Sequence, residues 1–269
     1  MAPDRPAVTV LIGAYDSQAT LPRAISSILG QTESRLELVV IDDGSRDRSA
    51  AVAREVIGSD PRGRVMRLER NLGIARSLNQ GLHAAAAPIV AIQDADDYSD
   101  ACRLERQLAV LDSDPGIAVV GSRTREVDAS GGTLRPRTSF APGDVGEVLL
   151  RFNPIPNTCA MFRREPALEL SGYDPRYRYA ADWDLWLRFA ERHRVVTLDE
   201  ELATRVMSCA NVAARAERAQ IAEGIAMRIR ALRRRGTLRG ATGLARPALS
   251  FGIPIAAKRA LRRRRGQAP

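Results

Sequence analysis

Three carboxylates, Asp94, Asp96 and Asp97, end the short apolar run Pro88-Ile89-Val90-Ala91-Ile92-Gln93. A run of this length, rich in β-branched residues, reads as a strand buried on both faces, with the acids at its C-terminal edge. Ligands bind at that edge in open α/β sheets, and crowded carboxylates there repel one another unless a cation offsets their charge. Hard oxygen ligands of this kind suit Mg²⁺ or Mn²⁺ shared with a substrate phosphate. The competing reading is a solvated acidic loop that caps a helix starting near Ser99 or Asp100. A second acidic pair, Asp42 and Asp43, ends the apolar run 36–41. Asp43 there suits a ligand or the N-cap of a helix from Ser45. A third acidic pair lies in Asp182-Trp183-Asp184-Leu185-Trp186-Leu187-Arg188-Phe189. At a helix N-terminus Asp182 opposes the macrodipole, and Asp184 is spaced to pair with Arg188 at i,i+4.

The elements that must position these acids follow from hydrophobic periodicity. Residues 7–12 form a first strand leading to Gly13-Ala14-Tyr15-Asp16, then a helix with Leu21, Ile25 and Ile28 on one face and Thr20 as N-cap. The second strand covers 36–41, with a helix through about Ile57; the third covers 64–68, with a helix carrying Ile74, Leu78 and Leu82. Strands alternating with helices predict a largely parallel sheet whose right-handed crossovers bring the loops at Tyr15, Asp42 and Asp94 to one edge. Beyond it come a helix with Leu104, Leu108 and Leu111, strands at 117–121 and 123–127, a helix near 144–151, a strand at 158–162, and the helix from Asp182. A closing pair of short strands is expected at 195–198 and 203–206. No Gly-x-Gly-x-x-Gly follows the first strand, and with Lys258 the only lysine there is no Gly-x-x-x-x-Gly-Lys, so dinucleotide and P-loop readings lose their main support.

Charge is unevenly placed. Of 41 Lys and Arg, 15 lie in residues 210–269 with only two of the 32 acids, Glu217 and Glu223, giving that segment +13 against −4 for residues 1–209. We therefore divide the chain into an α/β domain, 1–209, and a basic helical tail, 210–269. The asymmetry points to a partner of the tail, such as anionic lipid or nucleic acid. Residues 211–235 read as a helix with Ile221, Ile225, Ile229 and Leu232 on one face, able to pack on the domain or lie on a membrane. Residues 244–255 are apolar but broken by Pro and Gly, too short for the roughly 20 residues of a spanning helix. With the arginines at 262–265 they read as an interfacial segment. Cys102, Cys159 and Cys209 have no metal-type spacing and suggest buried thiols in a reducing compartment. The N-terminus lacks the layout of a signal peptide, so the domain is expected in the cytoplasm, peripheral at the inner membrane face. His83 and His193 have no partners in metal spacing and read as surface or satisfied packing residues.

Taken in order, Tyr15, Ile41-Asp42-Asp43-Gly44-Ser45, Arg70-Asn71-Leu72-Gly73, Gln93-Asp94-Ala95-Asp96-Asp97, Gly172-Tyr173-Asp174 and Asp182-Trp183-Asp184-Leu185-Trp186-Leu187-Arg188 resemble the family 2 inverting glycosyltransferases with the GT-A fold, over roughly residues 7–206. The resemblance implies a Rossmann-like, mostly parallel sheet flanked by helices, a nucleotide-diphosphate sugar donor, and a glycan or lipid-linked acceptor. It implies that Tyr15, Asp42, Asp43 and Asn71 hold the donor nucleotide, that Asp94 and Asp96 bind ribose and the divalent cation, and that Asp182 is the base for the acceptor hydroxyl. Two positions depart from the family pattern: Ala181 stands where Glu commonly precedes the base, and Asp16 where Asn is usual. Trp183 suits either a sugar platform or the core, while Trp186 and Phe189 suit the core. Asn71 and Asn157 suit either ligand contact or turns.

Two other classes compete. A sugar nucleotidyltransferase expects a Gly-rich, Lys- or Arg-bearing loop after the first strand, which Gly13-Ala14-Tyr15-Asp16 is not. A nucleic-acid-binding protein is suggested by the basic tail, but basicity confined to one end with few interleaved aromatics does not favour it.

Overall fold

A computed structural model describes residues 5–134, 141–207 and 217–236. Four βα units build its first half. Strands β1 (Val8–Ala14), β2 (Leu36–Asp42), β3 (Gly63–Arg67) and β4 (Ile89–Asp94) alternate with helices α1 (Leu21–Leu29), α2 (Ser49–Ile57) and α3 (Ile74–Ala84), and α4 (Arg103–Ser113) follows. They are parallel in the order β3-β2-β1-β4. The expected continuous apolar runs are there because both faces are covered: Val8, Val10, Leu11 and Ile12 in β1 and Leu38 to Ile41 in β2 are fully buried. Register brings Ala14 opposite Asp42 and Gly13 opposite Asp94, so the loops after β1, β2 and β4 share one edge of the sheet. The periodic face of α1 is also as expected, with Leu21, Ile25 and Ile28 buried. Thr20 does not cap it; its hydroxyl donates to the Ser17 carbonyl at 3.3 Å.

The second half departs from the sequence pattern. Strands β6 (Ile117–Asp128) and β10 (Arg194–Met207) are each long and continuous, and they pair in parallel. The two short closing strands are thus one strand. The acidic run Asp199-Glu200-Glu201, in the gap between the two expected strands, lies where the β6–β10 register shifts, an irregularity that bends a strand without ending it. The helix expected near 144–151 is reduced to a 3-10 turn, Val148–Leu150, after a two-residue strand β8 (Gly143–Asp144). The strand expected at 158–162 begins as a second 3-10 turn, Asn157–Cys159, before β9 (Met161–Arg163), which lies antiparallel between β4 and β6. A further two-residue strand, β5 (Tyr98–Ser99), pairs with β10, and β7 (Thr133–Leu134) pairs with β6. Helices α5 (Arg164–Glu169), α6 (Ala181–Phe189) and α7 (Glu217–Arg235) complete the described chain. No helix among the described residues is long and apolar enough to cross a membrane.

One buried polar network fixes the end of β4. Arg103 has no exposed surface; its guanidinium donates to the Gln107 and Gln93 side chains, the Ser99 hydroxyl, and the carbonyls of Ile92 and Ala160 at 2.9–3.2 Å. A buried guanidinium is tolerable only with its donors satisfied. Here they tie α4 to β4 and to the turn before β9.

Helix α7 is not a free tail. Met227 and Ala231 are fully buried and Leu232 nearly so, in the core cluster that holds Trp186 and Phe189. Its arginines also bond to the domain: Arg230 to the Tyr177 hydroxyl, Arg234 to Glu191 and Arg235 to Glu147. The sequence-based boundary at 209/210 lies outside the described residues, as do the interfacial segment 244–255, the arginines at 262–265, and Cys209.

Candidate active site

Around the shared sheet edge lies a cleft of about 780 Å³, lined on one side by Asp94 and α3, on another by Asp182 and Trp183, and closed by Gln220, Ile221, Gly224 and Arg228 of α7. Asp94 and Asp182 therefore face the same space. Asp94 accepts a 3.3 Å hydrogen bond from Asn157 Nδ2, and the Tyr173 hydroxyl donates to Asn157 Oδ1 at 3.0 Å. Asn153 Nδ2 donates to Asp182 Oδ2 at 2.9 Å. The loop 153–157 thus orients both acids. Tyr173 is fixed in turn by Asn79, which accepts from its amide and donates to its carbonyl, both at 2.8 Å. Gly172 precedes it at φ 62°, where a Cβ would stand 2.3 Å from Asn79 Oδ1. Only glycine fits there.

Burial and mutual repulsion leave these acids protonated more readily than usual. Burial, with the charge of Asp96, pushes Asp94 up to about 6. Burial also raises Asp96, and with the charges of Asp94 and Asp96 it lifts Asp97 to about 8. Burial takes Asp182 to about 6, against hydrogen bonds from the Trp183 amide and Asn153. The positive charge of Arg205, on β10, offsets all four, though its guanidinium is ion-paired to Glu126 at 3.1 Å. Sequence reasoning passed over Arg205, because an arginine in an alternating strand carries no signal of what it faces. It passed over Asn153 and Thr158 as well, although Thr158 Oγ1 accepts from the Asp94 amide at 3.2 Å and from Gln93 Nε2 at 3.0 Å.

The other candidate residues divide into those open to a ligand and those occupied by structure. Tyr15 is 38% exposed at the end of β1, and Asn71 is exposed. Asp42 is buried: Oδ1 accepts from the Ser45 amide at 3.2 Å, and Oδ2 lies 3.3 Å from Arg67 Nε without hydrogen-bond geometry, unsatisfied among the described residues. Asp43 does not cap a helix from Ser45, since α2 begins only at Ser49. Its carboxylate accepts from the amides of Leu72 and Gly73 at 2.8 and 2.9 Å, anchoring the Asn71 loop beside the Tyr15 edge. Gly44 allows that loop to approach; at φ 70° its Cβ would lie 2.6 Å from the Arg70 carbonyl carbon. Asp184 is 2% exposed and pairs with Arg188 at 2.7 Å, while Arg188 also donates to the carbonyls of Leu170 and Gly172. That places Asp184 in the scaffold beneath the Gly172 turn. Trp186 and Phe189 are fully buried. Trp183 is half-buried, its indole N–H donating to the Leu149 carbonyl at 2.8 Å and its face covered by Arg228.

The fold finds a counterpart in known proteins. A model of the family described as glycosyl transferase family 2 matches residues 9–170, more than half of the chain. The chain belongs to this family. A putative glycosyltransferase, EpsE of Bacillus subtilis, is 33% identical over 192 residues, 69% of this chain and 67% of the relative. The amylovoran biosynthesis glycosyltransferase AmsE of Erwinia amylovora is 29% identical over 72% of this chain and 74% of the relative. The chain spans only 59% of the length of an uncharacterized glycosyltransferase of Haemophilus influenzae, at 30% identity. Among solved structures, S. aureus TarS 1-349 in complex with UDP-GlcNAc superposes with a TM-score of 0.74 at 16% identity, over 93% of this chain and 77% of that one. The mannosyltransferase PcManGT of Pyrobaculum calidifontis, in complex with GDP-Man and Mn²⁺, superposes with a TM-score of 0.68 at 22% identity, over 96% and 80%. At these identities the likeness is one of fold, and the fold is GT-A.

The acid cluster of this glycosyltransferase domain has a measurable cost. Asp97 accepts from the Val206 amide at 2.8 Å, a bond that an asparagine carbonyl can keep. Its folded pKa lies above its unfolded value, so its charge destabilises the fold as pH rises from about 4 through about 8. Asp97→Asn should therefore raise metal-free stability by on the order of 2 kcal/mol at pH 8.5, with the gain vanishing near pH 4. Denaturant melts across that range test it; a gain that does not depend on pH would contradict the assignment.

Proposed function

We propose that this chain transfers a sugar from a nucleotide-diphosphate donor to a hydroxyl of a glycan or lipid-linked acceptor, with inversion at the anomeric carbon. The observation that carries this reading is the placement of Asp94 and Asp182 on one cleft, each half-buried and held by a side-chain amide of the 153–157 loop. One carboxylate serves the diphosphate side and the other the incoming hydroxyl. Tyr15 offers an exposed ring for the base at the edge of β1, Asp42, ion-paired to Arg67, ends the neighbouring β2 as the carboxylate for a base N–H, and Asn71 stands on the loop that Asp43 anchors.

Asp94 and Asp96 would hold the divalent cation, Mg²⁺ or Mn²⁺. The donor set fits: two oxygen acids repel each other in a buried place, and a cation there needs only one or two carboxylates when phosphates and water complete its shell. When bound, the cation supplies charge stabilisation to the departing diphosphate. Asp182 takes the proton of the acceptor hydroxyl while the hydroxyl oxygen bonds to the anomeric carbon and the bond from that carbon to the diphosphate oxygen breaks. A single displacement of this kind inverts the centre. With a pKa raised to about 6, Asp182 is both ionised at neutral pH and a stronger base than an ordinary carboxylate.

Asp96→Asn should abolish Mn²⁺-dependent stabilisation by UDP and GDP while the free protein still folds and melts no lower than the unaltered one; unchanged metal-dependent affinity in a folded variant refutes the cation assignment. Asp182→Asn should bind donor nearly normally yet lose transfer by roughly 10²–10⁴-fold. In the unaltered protein kcat/KM should fall as pH drops through about 6, where the base becomes protonated. If Asp184→Asn abolishes turnover and Asp182→Asn does not, the base is the wrong carboxylate.

The sequence beyond Gly236 supports recruitment to the cytoplasmic face of an anionic membrane, where a lipid-linked acceptor would reside; residues 237–269 carry eight basic residues and no acid. Each basic residue near an anionic leaflet contributes about 1 kcal/mol. Truncation after Arg235 should abolish sedimentation with anionic vesicles and preserve nucleotide binding. Equal sedimentation of both proteins, or tight binding to nucleic acid instead, would overturn the role.

A further inference from the structure

The walls of the cleft differ in charge from end to end. At the sheet edge stand the carboxylates. Beyond Asp182 the lining turns basic: Arg151 follows the first 3-10 turn, Arg178 lies on the loop before α6, and Arg228 comes from α7. No carboxylate pairs with Arg151 or Arg178 among the described residues, and both are exposed. The nearest acid on α7, Glu223, is occupied by the chain itself: its two oxygens accept from the amides of Arg178 and Tyr179 at 3.0 and 2.8 Å, which holds that loop over the cleft.

Arg228 is the most constrained of the three. It is 3% exposed, its Nε donates to the Gly224 carbonyl at 2.6 Å, and its Nη1 donates to the Arg151 carbonyl at 2.9 Å. Its guanidinium carbon lies 4.8 Å from the centroid of the Trp183 ring, whose plane is set by the bond to Leu149. Burying a guanidinium is costly, and placing two further arginines around the same space adds repulsion. Gly224 lines the cleft beside them; a Cβ there would sit 3.4 Å from Trp183 and 3.7 Å from an Arg228 nitrogen, so its absence leaves room in front of the guanidinium. Guanidinium groups in such an arrangement match the oxyanions of phosphate or carboxylate.

We infer that the end of the cleft closed by α7 is an anion-binding acceptor subsite, in which Arg151, Arg178 and Arg228 receive a phosphate or carboxylate carried by the acceptor close to the hydroxyl that Asp182 deprotonates. This rests on Asp182 marking the acceptor side. It assigns α7 a part in acceptor specificity, because the helix brings Arg228 to the wall of the cleft. Neutral acceptors would leave the charges of Arg151 and Arg178 without a carboxylate or phosphate partner and bind poorly.

The two tryptophans of the chain give a direct reading, because Trp186 is fully buried and Trp183 lies under Arg228. Fluorescence of the full chain, with EDTA present so that no cation-diphosphate site forms, is titrated with glucose 1-phosphate, glucuronic acid and glucose. A saturable change with at least one anionic probe is expected, absent with glucose at the same concentration and weakened about tenfold or more in Arg178→Ala and Arg228→Gln. A response to glucose 1-phosphate alone identifies a phosphorylated acceptor; a response to glucuronic acid alone identifies an acidic sugar. Equal responses to glucose, no saturable response to either anion, or unaltered binding in Arg178→Ala overturns the subsite. Arg178 is exposed, so that variant keeps the test decisive if Arg228→Gln fails to fold. Mn²⁺-dependent UDP and GDP binding, measured on the same variants, should be retained. Its absence in the unaltered protein with the anion response intact would count against the donor reading and not against this one.

Discussion

Repulsion among carboxylates at the end of β4 is the constraint on which the rest of the site depends. Asp94, Asp96 and Asp97 leave a buried strand within four residues, and the charge of Asp182 adds to the crowding at Asp94. Taken alone, that crowding would drive the loop apart or hold it protonated. The fold counters it with neutral and positive partners drawn from distant sequence: Asn157 on Asp94, Asn153 on Asp182, the Val206 amide on Asp97, and the charge of Arg205 across all of them. Beneath, Arg103 ties β4 to α4 and the turn before β9, so the strand end cannot relax away from its neighbours. The residual cost falls above pH 6 to 8, where the acids are ionised, and that is the state in which a cation and a diphosphate would recover it. A site of this kind is less stable than the sheet that carries it, a common condition of functional places in a fold.

The first half was legible because its elements obey one rule each. Strands buried on both faces have continuous apolar runs, the crossovers are right-handed, and the polar loops therefore land on a single edge; Tyr15, Asp42 and Asp94 could be placed together from spacing alone. The second half mixes parallel and antiparallel pairing and uses two-residue strands, β5, β7 and β8, that have no periodicity to read. The acidic interruption at 199–201 falls in the gap between two expected strands and is a register shift within one. Asp43 illustrates a different limit. Its sequence neighbourhood suits an N-cap, but its partners are amides almost thirty residues away, and only the close approach permitted by Gly44 makes that geometry available. Asp184 was legible for the opposite reason, since an i,i+4 arginine on the same helix is a local signal.

Helix α7 changes what the charge asymmetry of the chain means. Read as a total, the excess of arginine after residue 209 points outward to a partner. Much of that charge within residues 217–235 is instead directed inward: Arg234 and Arg235 meet Glu191 and Glu147, Arg230 meets the Tyr177 hydroxyl, and Arg228 fills a wall of the cleft. A domain with a net charge of −4 supplies the complementary surface. The apolar face of the helix then decides its orientation, because burying Met227, Ala231 and Leu232 against the aromatic cluster of Trp186 and Phe189 fixes which arginines face the cleft and which face the rim. With the proposed subsite, packing of this kind would make acceptor recognition a property of the helix that follows the sheet. Two chains with the same sheet edge could accept the same donor and differ in acceptor through a few positions on α7.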